Sequence, residues 1–370
     1  MINRLMNGQP TIRQVDLFLD AEEQQAVDAC IAERWLTEGP RSKAFAAAIC
    51  DRLQVKHATF APNGTLGLFL ALLSLDLEPG SEILMPTFTF YASASAAVFA
   101  GLKPVFVDVD PQTFNARPEA FAAAIGPKTR AIMPVHIYGQ CGDMPGIMEL
   151  AQRHNLKVVE DAAQAFAVTY GNRCAGTFGD VGVFSLFSDK VITTGEGGIL
   201  VTQSDMLFEK IRLLRNQGRE NSGTFEHPAL GMNFRITDMQ AAIGLAQIRK
   251  LPLILEDRAK KWRLYSEGLQ GIGDIETMAI DAKSSFAAFR FPIVSRERER
   301  ISAALTAAGI EIRRFFYPMH LQPKLRSEPL VSLPVAEDLY ERGICLPIHY
   351  RLSEEDIFAV VAAIRGAFGR

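Results

Sequence analysis

Two rhythms of apolar residues alternate along this chain. Short runs rich in β-branched and other apolar side chains are separated by longer stretches with helical spacing. The short runs are Ile83–Pro86 after a Pro-Gly turn, Pro104–Asp110, Ala131–His136, Lys157–Asp161, Val181–Phe187 and Gly198–Thr202. The helical stretches are Ala-rich Tyr91–Ala100, then Met144–His154, Ser204–Asn216 and Thr237–Lys250. Upstream, Asp20 followed three residues later by Glu23 has the form of a capping box, which predicts a helix to about Trp35. A further amphipathic stretch starts near Ser42. Buried strands alternating with helices predict an α/β fold with a mostly parallel sheet and right-handed crossovers. Ligands of such sheets bind beyond the carboxyl ends of the strands.

The rhythm changes near Leu251. A long charged helix is expected there, then a strand near Phe289–Val294, a helix near Arg296–Ala308, a strand Glu311–Phe315 and a last helix from Ser353. The chain of 370 residues therefore divides into a large domain, 1–250, and a smaller α+β domain, 251–370. No internal repeat or long charge run interrupts this order.

Charge narrows the partners. Thirty-nine basic against 42 acidic residues give a net charge of -3, which offers no pull toward nucleic acid or an anionic membrane. The longest apolar stretch, Leu66–Leu75, is far shorter than the roughly 18–20 residues that cross a bilayer. The N-terminus has no apolar segment of signal-peptide length. The five cysteines, Cys30, Cys50, Cys141, Cys174 and Cys345, are scattered and form no C-x-x-C, so neither a disulfide framework nor a zinc site is read. A reducing cytoplasm is the expected compartment.

Five places have the chemistry to build a site. Lys190 follows an apolar strand and precedes Thr193, Thr194, Gly195, Gly197 and Gly198, a turn that lets a ligand approach closely. Most lysines are solvated surface charges, but a partly buried one here has the means to form a Schiff base. Asp161 ends a strand, where a carboxylate is either a helix cap or a ligand partner. Asn63-Gly64-Thr65 opens an apolar helix, and a helix start is a phosphate site as well as an ordinary cap. Ser185 stands ready to add a hydroxyl to it. Phe90, in PTFTFYAS, is core material or the stacking partner of a flat ring. Asn233 and Arg235 precede a helix started by Thr237 or Asp238, in either an ordinary loop with a cap or a loop that reaches over a site, its own or a partner's.

Taken in order, these segments resemble the DegT/DnrJ/EryC1/StrS family, the pyridoxal phosphate (PLP)-dependent nucleotide-sugar aminotransferases. The likeness begins at WLTEGPRSKAF (35–45) and runs through APNGTLGLFLAL, MPTFTFYAS, GLKPVFVDVD, PVHIYGQCGDM, VVEDAAQAF, FSLFSDKVITTGEGG and GMNFRITDMQAAIGLAQI. It ends with YPMHLQP (317–323) and ICLPIHYRLSEEDI (344–357). The resemblance implies the fold type I aminotransferase architecture, with a mainly parallel seven-stranded sheet and a homodimer whose active sites lie at the interface. It matches Lys190 to the Schiff-base lysine, Asp161 to the partner of the cofactor's pyridinium nitrogen and Gln164 to the position facing its phenolic oxygen. Phe90 matches the stacking aromatic, and Gly64, Thr65 and Ser185 match phosphate ligands. Asn233 matches an asparagine supplied by the other subunit, with Arg235 in the same loop. Relatives often carry Asn just before the lysine or Pro two before it. This chain has Ser188-Asp189 there, which places an acid beside the amine.

The activity implied is ping-pong transfer of an amino group from L-glutamate to a keto sugar on a nucleotide diphosphate. The lysine loop and residues 231–248 most resemble perosamine-synthase-like members, which points to C4 of GDP-4-keto-6-deoxymannose. UDP- or dTDP-linked 3- or 4-keto sugars are the alternatives, as is a PLP-binding regulatory relative without catalysis. Arg219, Arg235, Tyr317 and His320 are candidate contacts for the sugar nucleotide, arginine being suited to a diphosphate. Sugar dehydratases of the family replace the lysine by histidine, so Lys190 argues for transamination. An NAD-dependent enzyme is disfavoured because the first βα unit carries no G-x-G-x-x-G.

Overall fold

A computed structural model describes residues 5–6, 9–10, 12–221, 223, 225–326 and 329–369. Its centre is a seven-stranded sheet. The strands are β1 His57–Ala61, β2 Glu82–Pro86, β3 Lys103–Val107, β4 Thr129–Ile132, β5 Lys157–Asp161, β6 Val181–Ser185 and β7 Gly198–Thr202. They lie in the order β1-β7-β6-β5-β4-β2-β3. Only β7 runs against its neighbours, pairing antiparallel with both β6 and β1. The mostly parallel α/β sheet expected from the sequence is therefore present, and the carboxyl ends of β1, β2, β5 and β6 open on one edge.

Alternation along each strand divides the interior into two cores. Leu84, Ile132, Val158, Phe184 and Ile199 face one layer, with Phe45, Ile49 and Ile147 from the covering helices. Ile83, Met85, Ala131, Val159, Val183 and Leu200 face the other, with Leu68, Ala71, Ala94 and Ala97. Because both faces are covered, the strands read as continuous apolar runs. Helix Gly64–Ser74 is buried along most of its length and lies close on β6. A Cβ on Gly67 would stand 2.9 Å from a Val183 methyl, and one on Gly64 would stand 3.1 Å from the Ser185 Cβ. These two glycines let the helix start settle beside the end of β6.

Helix Ala21–Ala32 carries the expected capping box of Asp20 and Glu23. The stretch read from Ser42 is helix Pro40–Leu53, and the one read from Thr237 is longer than expected. It continues through Pro252 as a single helix Asp238–Leu269, packed on Ala21–Ala32, Pro40–Leu53 and Glu354–Ala367. The boundary expected at 250/251 falls inside it. Beyond it lies a four-stranded antiparallel sheet in the order Glu276–Thr277, Phe291–Val294, Gly343–Leu346, Arg313–Arg314. Its core is Tyr265, Phe291, Ile293, Ile301, Ile344 and Ile357. All five cysteines are free. Among the described residues no helix is long and apolar enough to cross a membrane.

Gly182 tests the central sheet. A Cβ there would stand 1.8 Å from the Gly176 carbonyl oxygen, a backbone atom that cannot swing aside. Gly182→Ala is expected to cost about 1–3 kcal/mol through overpacking. Denaturant unfolding should show a lower midpoint at an unchanged slope.

Candidate active site

The loops after β1, β2, β5 and β6 enclose a cavity of about 340 Å³. It is lined by Gly64, Thr65, Phe90, Asp161, Gln164, Ser185 and Lys190, so seven residues singled out in the sequence meet in one place. They arrive by four strand ends, those of β1, β2, β5 and β6, which is why they are spread through the sequence and close in space.

Asp161 is the last residue of β5, between the ladder to Val183 and a bridge to Val135. Alternation turns its neighbour Glu160 the other way, where the carboxylate binds His136 Nε2 and accepts from the Gly176 and Gly179 N–H groups. Asp161 itself accepts from the Ser93 hydroxyl at 2.6 Å and from the Ala163 N–H at 3.1 Å. Burial pushes its pKa up, and these two donors offset only part of that. The site therefore holds a desolvated carboxylate that meets only neutral donors at hydrogen-bond distance, a group suited to a cationic N–H.

Lys190 lies on the short loop after β6, its N–H bonded to the Phe187 carbonyl. Its Nζ is 4.1 Å from the centre of the Phe289 ring and 3.5 Å from Asp189 Oδ1. Burial lowers its pKa, while Asp189 and Asp161 pull the other way. An amine kept out of water in this manner spends more of its time neutral, the form that attacks a carbonyl carbon.

The third component is an anion site. Asn63 caps helix Gly64–Ser74, its Oδ1 accepting from the Leu66 N–H at 2.9 Å. The first-turn N–H groups of a helix have no partner within it, and the dipole there favours negative charge. Ser185 stands beside Gly64 and accepts from the Phe187 N–H at 3.2 Å through its Oγ. Phe90 is 57% exposed and borders the cavity, so its ring is available to stack on a ligand rather than spent in the core. Gln164 is fixed by the Tyr138 N–H, which donates to its Oε1 at 2.9 Å.

Five sequence candidates lie elsewhere. Asn233 and Arg235 sit in the loop before helix Asp238–Leu269, where Arg235 Nη1 donates to Asn216 Oδ1 at 3.0 Å. Arg219 belongs to the same region, bonded through its N–H to the Asn216 carbonyl. Tyr317 is half exposed and packs edge-on against Tyr340. His320 is buried, with Nδ1 2.7 Å from Thr87 Oγ1 and Nε2 3.1 Å from Glu337 Oε1. Nδ1 ties the segment to the end of β2 and Nε2 ties it to helix Pro334–Arg342, so both ring nitrogens are engaged within the chain. None of the five lines the cavity of its own chain.

The sequence reading missed the far wall of the cavity. Tyr138, Phe289, Arg290, Arg313, Arg314 and Phe316 line it, together with Cys345. The signal available was the pair of basic residues set against two aromatics in Arg313-Arg314-Phe315-Phe316.

Comparison with known proteins agrees with this construction. A GDP-perosamine synthase from Caulobacter vibrioides is 39% identical over 366 residues, covering 97% of this chain and 99% of that one. A UDP-N-acetyl-3-dehydro-alpha-D-glucosamine 3-aminotransferase from Acidithiobacillus ferrooxidans is 38% identical over 330 residues, 88% of each chain. Among solved structures, the aminotransferase TlmJ from Streptoalloteichus hindustanus superposes with a TM-score of 0.93 at 32% identity, covering 97% of this chain and 99% of that one. DesV of S. venezuelae superposes with a TM-score of 0.93 at 31% identity, covering 98% of this chain and all (100%) of that one. With the family model matching residues 18–365, the chain belongs to the DegT/DnrJ/EryC1/StrS aminotransferase family.

Proposed function

We propose that the cavity holds pyridoxal phosphate and that the protein transfers the amino group of L-glutamate to a nucleotide-linked 4-keto-6-deoxy sugar. GDP-4-keto-6-deoxymannose is the acceptor supported by the likeness to GDP-perosamine synthases. The observation that carries the reading is the meeting of a desolvated amine and a desolvated carboxylate in one cavity that also has a helix start. The residues fit the cofactor. Lys190 would hold it covalently, Asp161 would accept from its ring N–H, and Phe90 would cover a ring face. Gly64, Thr65 and Ser185 would take the phosphate, with Gln164 beside the phenolic oxygen. Bound there, the cofactor supplies an electron sink for the pair released when a carbon–hydrogen bond breaks.

The chain's own part is proton handling. Lys190 Nζ, whose neutral form burial favours, would take the proton from the donor's Cα and return one on the other side of the reaction. Asp161 would favour a proton on the ring nitrogen, which a residue without a negative charge would do far less. Phe90, Tyr138, Phe289 and Phe316 limit water around the reacting carbon. Arg290, Arg313 and Arg314 give the same cavity the cations that a carboxylate or diphosphate needs.

We also infer a homodimer in which the Asn233–Arg235 loop of one subunit completes the cavity of the other. The support is that Asn233 and Arg235 do not line their own cavity and that Phe225, Leu230 and Met232 beside them are exposed. A second acceptor class, UDP-linked 3-keto sugars, is favoured by the Acidithiobacillus relative.

The reading is tested by visible absorption of the purified protein. The cofactor band should bleach with L-glutamate and return with GDP-4-keto-6-deoxymannose. Return with a UDP-linked 3-keto sugar instead would replace the acceptor, and no band with added pyridoxal phosphate would end the assignment. Lys190→Ala should stop turnover, and normal turnover by it would refute the proposed role. Asp161→Asn should retain cofactor but lose about 10²–10⁴ in turnover number, the scale of a displaced proton. If sites are shared, inactive Lys190→Ala and Asn233→Ala chains mixed under subunit exchange should recover about a quarter of the wild-type sites, since half the dimers are hybrids with one intact site each. No recovery would place each cavity within one chain.

A further inference from the structure

Lys190 separates two cavities. In front is the 340 Å³ cavity already described. Behind it is a small compartment of about 20 Å³, room for roughly one water molecule, bordered by Gln14, Asp16, Phe18, Arg258 and His349. Asp189, Lys190 and Arg290 border both. The rear wall is polar. Gln14 Oε1, Asp189 Oδ1, Arg258 Nε and His349 Nδ1 are buried with no hydrogen-bond partner among the described residues.

The two oxygens of Asp189 have different neighbours. Oδ2 is bound by the buried Arg290 guanidinium, and Arg313 Nη1 lies 3.6 Å from it. Oδ1 lies 3.5 Å from Lys190 Nζ. Arg290 sits over the Phe289 ring at 4.6 Å, the ring that also carries Lys190 at 4.1 Å. One carboxylate is thus shared between the largely buried Lys190 and Arg290, where water screens little, with the half-exposed Arg313 beside it.

We propose that Asp189 is a positioning residue that sets the proton affinity of Lys190, with Arg290 as its counterweight. A lysine that moves protons must be neutral before it accepts one and must hold it afterwards. Burial and the Arg290 charge favour the neutral amine, whereas Asp189 favours the ammonium. Arg290 already claims one oxygen of Asp189, so the pull on Lys190 is partial, and Oδ1 remains as the acceptor in reach when the amine gains its proton. Other charged or titratable groups face this pair: Asp161 from β5, Arg258 from the long helix, Arg313 and Glu196 in front, and Asp16 and His349 behind. Asp189 is set apart from them by its contact with the amine and its shared oxygens. The inference uses the proposed role of Lys190 only for its catalytic meaning, because the charge coupling itself is a property of the chain.

The test compares wild type with Asp189→Asn, Asp189→Glu and Arg290→Gln as full-length proteins. Two pH titrations are read: the visible band of the holoenzyme, and the acylation rate of Lys190 in the cofactor-free chain, followed by peptide mass. Asp189→Asn should lower both midpoints by about one unit, the low end of the range for loss of an adjacent opposite charge. Asp189→Glu should restore most of that shift. Arg290→Gln should raise the midpoints, since it removes a cation near Lys190 and leaves Asp189 opposed only by the half-exposed Arg313. Should Arg290→Gln not fold, the Asn and Glu variants decide between themselves. Unmoved midpoints in Asp189→Asn, with or without a lower melting temperature, overturn the proposal. If wild type shows no cofactor band, the acylation titration still reads the effect of Asp189, and only the cofactor assignment fails.

Discussion

The burial of the Asp161 carboxylate is the constraint around which the cavity is arranged. Desolvation raises its pKa, and a hydroxyl and one amide N–H are the hydrogen bonds it receives. A carboxylate so held costs free energy that an apolar side chain would not. Its position shows how the sheet supports that cost. Asp161 closes a central strand whose next-to-last residue, Glu160, is turned away and saturated by His136 and two glycine N–H groups. One acid of the pair fixes the backbone, which leaves the other free to face the cavity.

The helix start beside β6 depends on the absence of side chains. Gly67 meets a Val183 methyl and Gly64 meets Ser185 at distances that leave no slack for a Cβ without movement. Larger residues would lift the first turn of helix Gly64–Ser74 off the sheet and carry its N–H groups away from the Ser185 hydroxyl. The same close approach that packs the core therefore aims the anion site. Asp161 and the helix start present opposite electrostatic preferences within one cavity, so a ligand with a cationic ring and an anionic tail is oriented by charge before it is oriented by shape.

Much of this was legible in the sequence because it is local. The strand end at Asp161, the helix start at Gly64 and the Lys190 turn each announce themselves within a few residues. β1 was overlooked because HATFA has only one β-branched residue, and its place in the sheet comes from pairing with β7, 137 to 145 positions away by the register of Ala61 with Gly198 and His57 with Thr202. The sequence likewise does not announce that Thr87 and Glu337 lie against the two ring nitrogens of His320. The arginine and aromatic wall from residues 289–316 was missed because nothing in sequence says which face of the small sheet meets the large one. The long helix Asp238–Leu269 runs past the boundary expected at 250/251 and through Pro252 because contacts along it outweigh one lost hydrogen bond.

Apolar exposure around the cavity follows the same logic. Phe90, Tyr91 and Phe187 are each more than two-fifths exposed at its edge. Phe225, Leu230 and Met232 are exposed in the loop that leads to Asn233 and Arg235. A chain acting alone would leave both sets in water, although contiguous patches of this kind usually mark a contact surface. In a two-fold assembly every patch occurs on both copies, so two different patches can cover one another twice. The proposed dimer uses that symmetry. The apolar residues that flank the loop would bury against the other copy, and the polar residues at its tip, Asn233 and Arg235, would then lie where a phosphate or diphosphate is expected. Covering the aromatics and completing the anion site would be a single event, which gives a reason for placing polar residues of the site on a loop remote from their own cavity.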